Sequence, residues 1–233
     1  MEKPSLDTAK AGAMRFNTVS SQMEIYDGNQ WTGILAELTP SLQTGGTRGI
    51  FGGESDTIDF VNIASTGDAI DFGNLTQAMF ICKAASSRVR GFFAGDRPHT
   101  GNIDFITISS QGNAQDFGDL TQIRMELAGA SSPTRGLFMG GANPGVVSRS
   151  NVVDFVTIAT AGNAQDFGDF TANTYKGGAA VSNNTRAIHA GGNEPSFVTD
   201  IEFFTIATTG NGTDFGDLTD ARGYQASLSN SVR

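Results

Sequence analysis

Short apolar bursts separated by glycine-rich turns dominate the pattern of hydrophobic and polar positions along this chain. One stretch shows the unit, with bursts at 135–141, 152–159 and 165–169 and a last one near 177–181. Bursts of this length, rich in Val, Ile, Phe and Thr and bounded by Gly and Asn, are typical of β-strands. Because the 30 glycines also lower the helix propensity, the pattern predicts an all-β protein built from four-stranded antiparallel meanders.

The second strand of each unit is apolar on both faces. Between positions 103 and 108, Ile103 and Phe105 share one face of the strand, and Ile106 and Ile108 share the other. A sheet with one wet face would alternate apolar and polar residues, so a strand of this kind is covered on both sides. Sheets that stack radially, each between two neighbours, produce this pattern, and the sequence therefore predicts a β-propeller.

The same unit occurs four times. Asp-Phe-Gly begins at positions 71, 116, 166 and 214, with steps of 45, 50 and 48 residues between copies. An acidic residue followed by Phe lies 12 positions before each copy, at 59, 104, 154 and 202. A fixed spacing inside a variable period indicates a rigid unit joined by tolerant loops, as in propellers and solenoids. We predict a propeller over 35–233, with repeats at about 47–87, 88–132, 133–182 and 183–233, and a separate β segment over 1–34.

A Gly-Asn or Gly-Asp pair lies between the second and third strands of each repeat, at 67–68, 112–113, 162–163 and 210–211. Because these residues adopt positive φ at little cost, the pair predicts a two-residue hairpin turn. Such a turn would fix the strand register and explain the constant 12-residue interval.

The number of propeller blades stays open between four and five. Leu38–Gln43 has the pattern of a detached fourth strand, and Gly223–Ser231 at the other end of the chain is a further copy of that strand. Either the N-terminal strand closes the ring beside the last blade, or the ring has four blades and one strand is spare.

The length variation among repeats falls in one loop per repeat, at 54–57, 96–102, 142–151 and 193–200. Equivalent loops leave a repeat array on one face, and variable loops of this kind are often the binding surface. The loop residues best suited to contact a partner are Arg97, His99, Asn143, Arg149, Asn193 and Glu194. Phe197 is the only aromatic residue in these loops, which disfavours glycan binding.

Composition excludes several classes of partner. The chain has 15 Lys and Arg against 24 Asp and Glu, a net charge of −9, and its basic residues are scattered. Neither nucleic acid nor an anionic membrane surface suits that distribution. No stretch approaches the roughly 18 apolar residues of a membrane span, and the first residues lack the pattern of a signal peptide, so folding in a cytoplasm is expected. Cys82 is the sole cysteine and is expected to be a buried, inert thiol.

Known catalytic and metal patterns do not fit the chain. Asp-Phe-Gly occurs in protein kinases, but four copies without His-Arg-Asp or a phosphate loop argue against that class. His99 and His189 share no metal-ligand spacing and are expected to be a surface histidine and a packed one. No nucleophile or dinucleotide motif is present. We therefore predict a protein that is not an enzyme and that takes no cofactor and no metal.

Two recurring charged positions have structural and ligand-binding interpretations. The aspartates of the third strands either line a rim that binds a cation or accept hydrogen bonds from their local backbone, which we favour. They are Asp116, Asp119, Asp166, Asp169, Asp214 and Asp217. The arginines that open the repeats are expected to pair with an Asp of the neighbouring repeat rather than with a ligand. They are Arg48, Arg90, Arg135 and Arg186.

The repeats resemble kelch repeats over residues 47–233. Gly-Gly pairs close the first strand at 52–53, 140–141 and 191–192, with Ala-Gly at 94–95 as a weaker copy. The kelch Tyr corresponds to Phe60, Phe105, Phe155 and Phe203, and the kelch Trp to Phe72, Phe117, Phe167 and Phe215. Arg124 and Arg222 match the Arg that opens the fourth kelch strand, whereas Met79 and Thr174 depart from it. The resemblance implies a kelch-like β-propeller and says little about function.

The N-terminal segment resembles a module of phage tail fibres and other virion appendages. The shared pattern is Gly-x-x-Arg-Phe-Asn-Thr from Gly12, followed by Tyr-Asp-Gly-x-x-Trp from Tyr26. The Asp-Phe-Gly-Asp-Leu-Thr repeats also resemble structural proteins of marine and cyanobacterial phages. Because so short a meander cannot bury Phe16, Tyr26 and Trp31 alone, we expect these residues to dock on the propeller, on sister subunits or on a virion partner.

This second resemblance implies a non-enzymatic structural protein of a phage virion, made in the host cytoplasm and located in the particle. Two roles compete: a tail fibre or host-adhesion component, and capsid decoration. The expected partners are other virion proteins, further copies of the chain, and a host surface glycan or protein, with no nucleic acid and no membrane insertion. A free glycan-binding propeller is an alternative from another class, and an enzyme of hydrolase or lyase type lacks sequence support.

Overall fold

The computed structural model of the chain describes residues 10–17, 22–33, 47–95, 100–143, 148–171 and 177–229. These residues form β-strands and loops without a helix among them, so the predicted all-β class is confirmed. Within these ranges, accordingly, no helix has the length and apolarity needed to cross a membrane. The chain divides into two compact units, Met1–Leu42 and Gln43–Arg233. The expected strand Leu38–Gln43 lies outside the described residues.

The first unit contains one antiparallel sheet of three strands, β1 (Met14–Asn17), β2 (Gln22–Tyr26) and β3 (Trp31–Gly33). Side chains alternate along a strand, so the sheet has two different faces. The side chains of Arg15 and Glu24 form an ion pair of 2.7 Å on one of them. The other face is apolar and exposed, and its residues are Met14, Phe16, Met23 and Ile25.

The second unit contains four antiparallel sheets, which we number in chain order. The first sheet has three strands, β4 (Arg48–Gly52), β5 (Thr57–Asn62) and β6 (Ile70–Asn74). The second sheet consists of β7 (Lys83–Ser86), β8 (Arg90–Ala94), β9 (Asn102–Thr107) and β10 (Gln115–Asp119). The third consists of β11 (Ala128–Ser131), β12 (Arg135–Met139), β15 (Val152–Thr157) and β16 (Gln165–Asp169). The fourth consists of β17 (Ala179–Ser182), β18 (Arg186–Ala190), β21 (Asp200–Thr205) and β22 (Thr213–Asp217).

Two short hairpins lie in the variable loops of the third and fourth sheets. They are β13 (Ala142–Asn143) with β14 (Ser148–Arg149), and β19 (Asn193–Glu194) with β20 (Ser196–Phe197). Each four-stranded sheet is a meander in which the last strand of one repeat pairs with the first strand of the next. Each of these three sheets therefore crosses a boundary of the sequence period and ties two successive repeats together, so the prediction that the four strands of one repeat form one meander is wrong.

Asp-Phe-Gly forms a β-bulge at the edge strand of each sheet. In the second sheet Asp104 faces Asp116 and Ile103 faces Gly118, so Phe117 is the extra residue. The same shift occurs in the other three sheets. An extra residue bends the strand and re-aims the side chains beside it. The constant 12-residue interval is thus the distance between two cross-strand partners, the acidic residue of the second strand and the Asp of the bulge.

The prediction of a two-residue hairpin at the Gly-Asn pair is wrong. Gln115 pairs with Phe105, so nine residues, 106–114, separate the last paired positions of β9 and β10, where a two-residue turn was predicted. The pair bonds to the preceding sheet instead. The N–H of Gly112 donates to the carbonyl of Phe72 at 2.8 Å, and the N–H of Asn74 donates to Oδ1 of Asn113 at 3.1 Å. These residues connect sheets, and the local sequence carries no sign of a partner 40 residues away.

The sheets stack face to face, and each junction holds an apolar cluster. Ile103 packs into the cluster between the second and third sheets. Ile106 packs into the one between the first and second sheets. The prediction of strands that are apolar on both faces is confirmed. Cys82 packs against the cluster between the first and second sheets but is half-buried, not buried as expected. None of the three clusters contains residues of both the fourth and the first sheet.

Candidate functional site

Two of the predicted contact residues, in the variable loops of the third and fourth sheets, meet in the structure. The guanidinium of Arg149, at the end of β14, donates to Oδ1 of Asn193 in β19 at 2.7 Å. This bond joins the loop of the third sheet to the loop of the fourth. Asn143 lies in β13, paired with Ser148 and half-buried. Arg97, His99 and the side chain of Glu194 lie outside the described residues.

Two exposed aromatic residues continue this contact. Phe197 pairs with Asn193 across the β19–β20 hairpin. Its ring meets that of Tyr224 edge to face, with 6.3 Å between centroids and 83° between planes. The hydroxyl of Tyr224 donates to Glu126 at 2.9 Å. We name these five residues, Glu126, Arg149, Asn193, Phe197 and Tyr224, the loop patch.

Sequence analysis did not identify Tyr224 and Glu126. Both lie ten positions after the Asp of an Asp-Phe-Gly copy, at Asp214 and Asp116. Both have positive φ, 55° and 57°, which is uncommon for residues other than glycine. The repeat alignment could have placed them at one structural position, but their exposure depends on the stacking of sheets.

The loop patch has the chemistry of a contact surface. Exposed aromatic rings next to charged and amide groups supply the apolar and hydrogen-bonding contacts that proteins use against other proteins and sugars. Within the described residues, no group of three or more His, Cys, Asp or Glu side chains has the arrangement of a metal site.

The arginines that open the repeats have a different partner from the one expected. The guanidiniums of Arg48, Arg90 and Arg135 donate to carbonyl oxygens of the next sheet, those of Ile108, Ile158 and Ile206, at 2.7, 2.6 and 2.9 Å. Pairing with an Asp of the neighbouring repeat is therefore wrong. Each guanidinium also stacks on a Phe of its own sheet, at 4.6 to 4.9 Å from the ring centroid. Arginine supplies both contacts because it is planar, charged and rich in donors.

Acidic residues of the second strands are buried at the junctions between sheets. The hydroxyl of Thr76 donates to Asp104 at 2.7 Å, and that of Thr171 donates to Glu202 at 3.0 Å. Burial raises the pKa of both carboxyl groups, and the threonine hydrogen bonds oppose that shift. Each of these carboxyl groups therefore connects two neighbouring sheets through a hydrogen bond.

The junction between the second and third sheets adds a fully buried ion pair. A guanidinium nitrogen of Arg124 lies 2.6 Å from a carboxylate oxygen of Asp154, and both side chains are inaccessible to solvent. Arg124 also donates to the carbonyls of Gly140 and Val152. Burial lowers the pKa of Arg124, and the Asp154 carboxylate opposes the shift. The sequence showed this Arg only as a match to a repeat motif.

The aspartates of the bulges accept hydrogen bonds from their local backbone, as the favoured interpretation predicted. Oδ1 of Asp116 accepts from the N–H of Gly118 at 3.0 Å. Asp166 and Asp214 make the equivalent bonds at 3.2 and 3.0 Å. Such bonds stabilise turns and bulges without any ligand.

The residues predicted to dock the N-terminal segment do not share a face. Phe16 lies on the exposed apolar face of the first unit. Tyr26 and Trp31 lie on the other face, where their rings are 5.4 Å apart and Arg15 covers the Trp ring at 4.2 Å. Phe16 thus remains a docking candidate, together with Met14, Met23 and Ile25.

His189 is a packed histidine, as expected. It is buried in β18, with its ring 4.7 Å from that of Phe170. Burial lowers its pKa to about 3 from the ordinary value of 6.5. The folded state therefore keeps the neutral ring at a pH where the unfolded chain binds a proton, so this residue lowers stability progressively as pH falls from 6.5 towards 3.

We predict that His189 lowers the free energy of unfolding by about 2 kcal/mol at pH 5 relative to pH 7.5. Urea unfolding at both pH values measures it. The matched control is His189→Phe, because Phe93 and Phe138 occupy this position in the second and third sheets. The variant should lose that part of the pH dependence, and an unchanged pH dependence would contradict the prediction.

The comparisons with known proteins give no relative on which to base a function. No protein-family model matches the chain, and no curated protein matches it.

Proposed function

We propose that the chain is a non-enzymatic structural protein of a phage virion. Its second unit supplies the blades of a kelch-like β-propeller, which the first unit attaches to the particle. The observation that carries the proposal is the exposed apolar face of the first unit, formed by Met14, Phe16, Met23 and Ile25. Exposed apolar patches of this kind mark contact sites between proteins. The sequence resemblance to virion appendage modules covers the same strands.

The opposite face of this sheet supports an attachment role. Its charged groups are paired within the sheet, because Glu24 accepts hydrogen bonds from both Arg15 and Asn17 at 2.7 Å. The charged groups of the polar face therefore have hydrogen-bond partners within the sheet. The apolar face is exposed instead, although apolar side chains are usually buried, and it is left to contact a partner. The partner we propose is another virion protein.

The loop patch supports the proposal that the second unit contacts a host. It includes residues from the variable loops of the third and fourth sheets, and it combines the aromatic rings of Phe197 and Tyr224 with the Arg149–Asn193 pair. We propose a tail-fibre or host-adhesion role, in which this patch binds a host surface protein or glycan. Capsid decoration is the second role within the same class.

Imaging of purified particles of the source phage by cryo-electron microscopy tests the proposal. Density for stacked four-stranded sheets on the tail would support adhesion, and density on the head would support decoration. A matched test uses Phe16→Asp, with Lys10→Asp as control because Lys10 is exposed outside the sheet. We expect Phe16→Asp to reduce incorporation into particles at least about tenfold, since it places a charge in an apolar contact. Particles that lack the chain would refute a virion role.

A free glycan-binding module is the second candidate function. The observation that favours it is the Phe197–Tyr224 pair, because Tyr224 adds a second exposed ring where the sequence indicated one. Glycan-array binding that is lost in both Phe197→Ala and Tyr224→Ala, without any particle association, would replace our first proposal.

A further inference from the structure

The two ends of the stack carry matching halves of one interface. Three junctions join the four sheets, and each repeats the same contacts at equivalent positions. At the exposed end of the fourth sheet we define the tail face by Arg186, Phe215, Gly216, Thr219 and Arg222. At the exposed end of the first sheet we define the head face by Phe51, Asp59, Ile63 and Gly67.

Most apolar residues at these positions are buried at the internal junctions, and their equivalents at the two ends are exposed. Phe72, Phe117 and Phe167 are 2–3% exposed, whereas the equivalent Phe215 is 52% exposed. On the opposite side of a junction, Phe93 and Phe138 are at most 5% exposed, whereas the equivalent Phe51 is 60% exposed. Ile63 is 72% exposed, although its equivalents Ile158 and Ile206 are buried. Both ends therefore keep the residues of a junction without its partner.

The backbone of the tail face also has the form that is found at an internal junction. At the three junctions the N–H of Gly112, Gly162 or Gly210 donates to the carbonyl of the bulge Phe in the preceding sheet, at 2.7 to 2.8 Å. The close approach requires glycine in the bulge, since a Cβ on Gly118 would lie 2.6 Å from the backbone of Gly162. Gly216 is the equivalent bulge glycine at the tail face, and no atom lies within 4 Å of a Cβ built on it.

The polar groups at the ends are complementary. At the internal junctions, a threonine of one sheet donates to the acidic residue of the next, as Thr121 does to Asp154 at 2.6 Å. The equivalent threonine at the tail face is Thr219, and the equivalent acid at the head face is Asp59. Arg222 corresponds to Arg124, the cation of the buried pair, and is exposed. A cation and a donor thus face outward at one end, and a carboxylate at the other.

The first strands of the four-stranded sheets also continue as a series that is incomplete at both ends. β7, β11 and β17 lie side by side, linked by serines: the hydroxyl of Ser131 donates to the carbonyl of Ser86, and that of Ser182 to the carbonyl of Ser131, both at 2.7 Å. Ser229 continues the series onto Ser182 at 3.0 Å. Residues 226–229 therefore lie beside β17 where the first strand of a further sheet would lie, but no further sheet follows. In the described residues of the first sheet, by contrast, no strand pairs with β4 on the side where β7, β11 and β17 lie in the other sheets.

We infer that the tail face of one copy binds the head face of a second copy, so that the junction between sheets continues from chain to chain. Residues 226–229 then lie along β4 of the second copy and complete its sheet, a form of strand addition. The occupant we propose is a second copy, because the tail face carries the donors and the head face the acceptor of one and the same kind of junction. Such a contact is heterologous and forms a ring or a filament, according to its rotation.

The test uses two variants, each of which disables one face. Ile63→Asp places a charge in the head face, and Phe215→Asp places one in the tail face; both side chains are exposed in the single chain, so the fold is retained. We expect the wild-type chain to assemble with rising concentration in analytical ultracentrifugation. Each variant alone should remain monomeric, with an affinity at least about 100-fold weaker. An equimolar mixture should form a 1:1 dimer, since each variant keeps the face that the other has lost.

The mixture separates this inference from other kinds of association. A wild-type chain that remains monomeric at 100 µM, about the upper range of transient contacts, would overturn it. A mixture of the two variants that stays monomeric would overturn it as well. Self-assembly of either variant at wild-type affinity would indicate a different surface. Circular dichroism of both variants checks that the sheets are retained.

Charge reversal supplies an independent version of the test. Asp59→Lys and Arg222→Glu should each weaken assembly about 100-fold, since each places like charges together in the contact. The double variant carries both changes in one chain and restores an opposite pair, so it should recover most of the affinity. A double variant as weak as the single ones would argue against the Arg222–Asp59 contact. The inference is independent of whether the chain belongs to a virion.

Discussion

Replacing Arg124 by Met is expected to lower the free energy of unfolding by about 3–5 kcal/mol. The guanidinium and the Asp154 carboxylate are 2.6 Å apart, and both are inaccessible to solvent. Removal of the cation leaves a carboxylate buried with only the hydrogen bonds from Thr121. The cost of that unpaired charge, rather than the intrinsic strength of the ion pair, gives the effect its size. Equilibrium unfolding in urea by circular dichroism measures it.

The first junction provides a natural control for this experiment. Met79 occupies the position of Arg124 there, and the facing Asp104 has only Thr76 as donor. Burial accordingly raises the pKa of Asp104. The double variant Arg124→Met, Asp154→Asn should recover at least half of the loss, because a neutral amide needs no counter-charge. Equal stability of the single and double variants would contradict this account.

The sequence was sufficient to predict the strands of one repeat and their two apolar faces, but not which strands share a sheet. The Asp-Phe-Gly copies gave the period, and the two apolar faces of Ile103–Thr107 predicted a sheet covered on both sides, which the structure confirms. Both signals are local properties of a strand. They survive in one sequence because side-chain alternation and repeat length do not depend on which sheet is the neighbour.

The turn and the arginines show where local reasoning fails. Gly112 and Asn113 have the composition of a tight hairpin, yet their partners are Phe72 and Asn74 of another sheet. The arginines of the repeats were expected to find carboxylates, yet Arg90 finds a carbonyl of the next sheet. In each case the residue type was interpreted correctly and the partner was not, because partners about 40 to 70 positions away are set by stacking.

The candidate site was predicted in part. Arg149 and Asn193 were identified from the loop-length variation, and the structure joins them. Tyr224 was missed because it lies in a connection whose length barely varies. Phe16 and Trp31 were grouped by their aromatic character, whereas the strands place them on opposite faces of the sheet. Alternation along β1 would have separated Phe16 from Arg15, the residue that covers Trp31.

Replacing Gly118 by Ala is expected to destabilise the chain by about 3–5 kcal/mol. The Cβ would lie 2.6 Å from the backbone of Gly162, which has no side chain that could move aside. Gly118 also has φ of 142°, which residues with a side chain rarely adopt. The substitution therefore combines a conformational cost with a displacement of two sheets.

Gly216→Ala separates these two causes. Gly216 has a φ of 132° and the same place in its bulge, but no atom lies within 4 Å of its Cβ. It should therefore cost only the conformational part, about 1–2 kcal/mol. Both substitutions are made in the Ile63→Asp background, which keeps the chain monomeric, and urea unfolding gives the difference between them. A Gly216→Ala variant as unstable as Gly118→Ala would mean that the bulge conformation alone demands glycine. In that case the contact between sheets would contribute nothing to the requirement for glycine in the bulge. Gly216 at the tail face would then no longer indicate a missing neighbour.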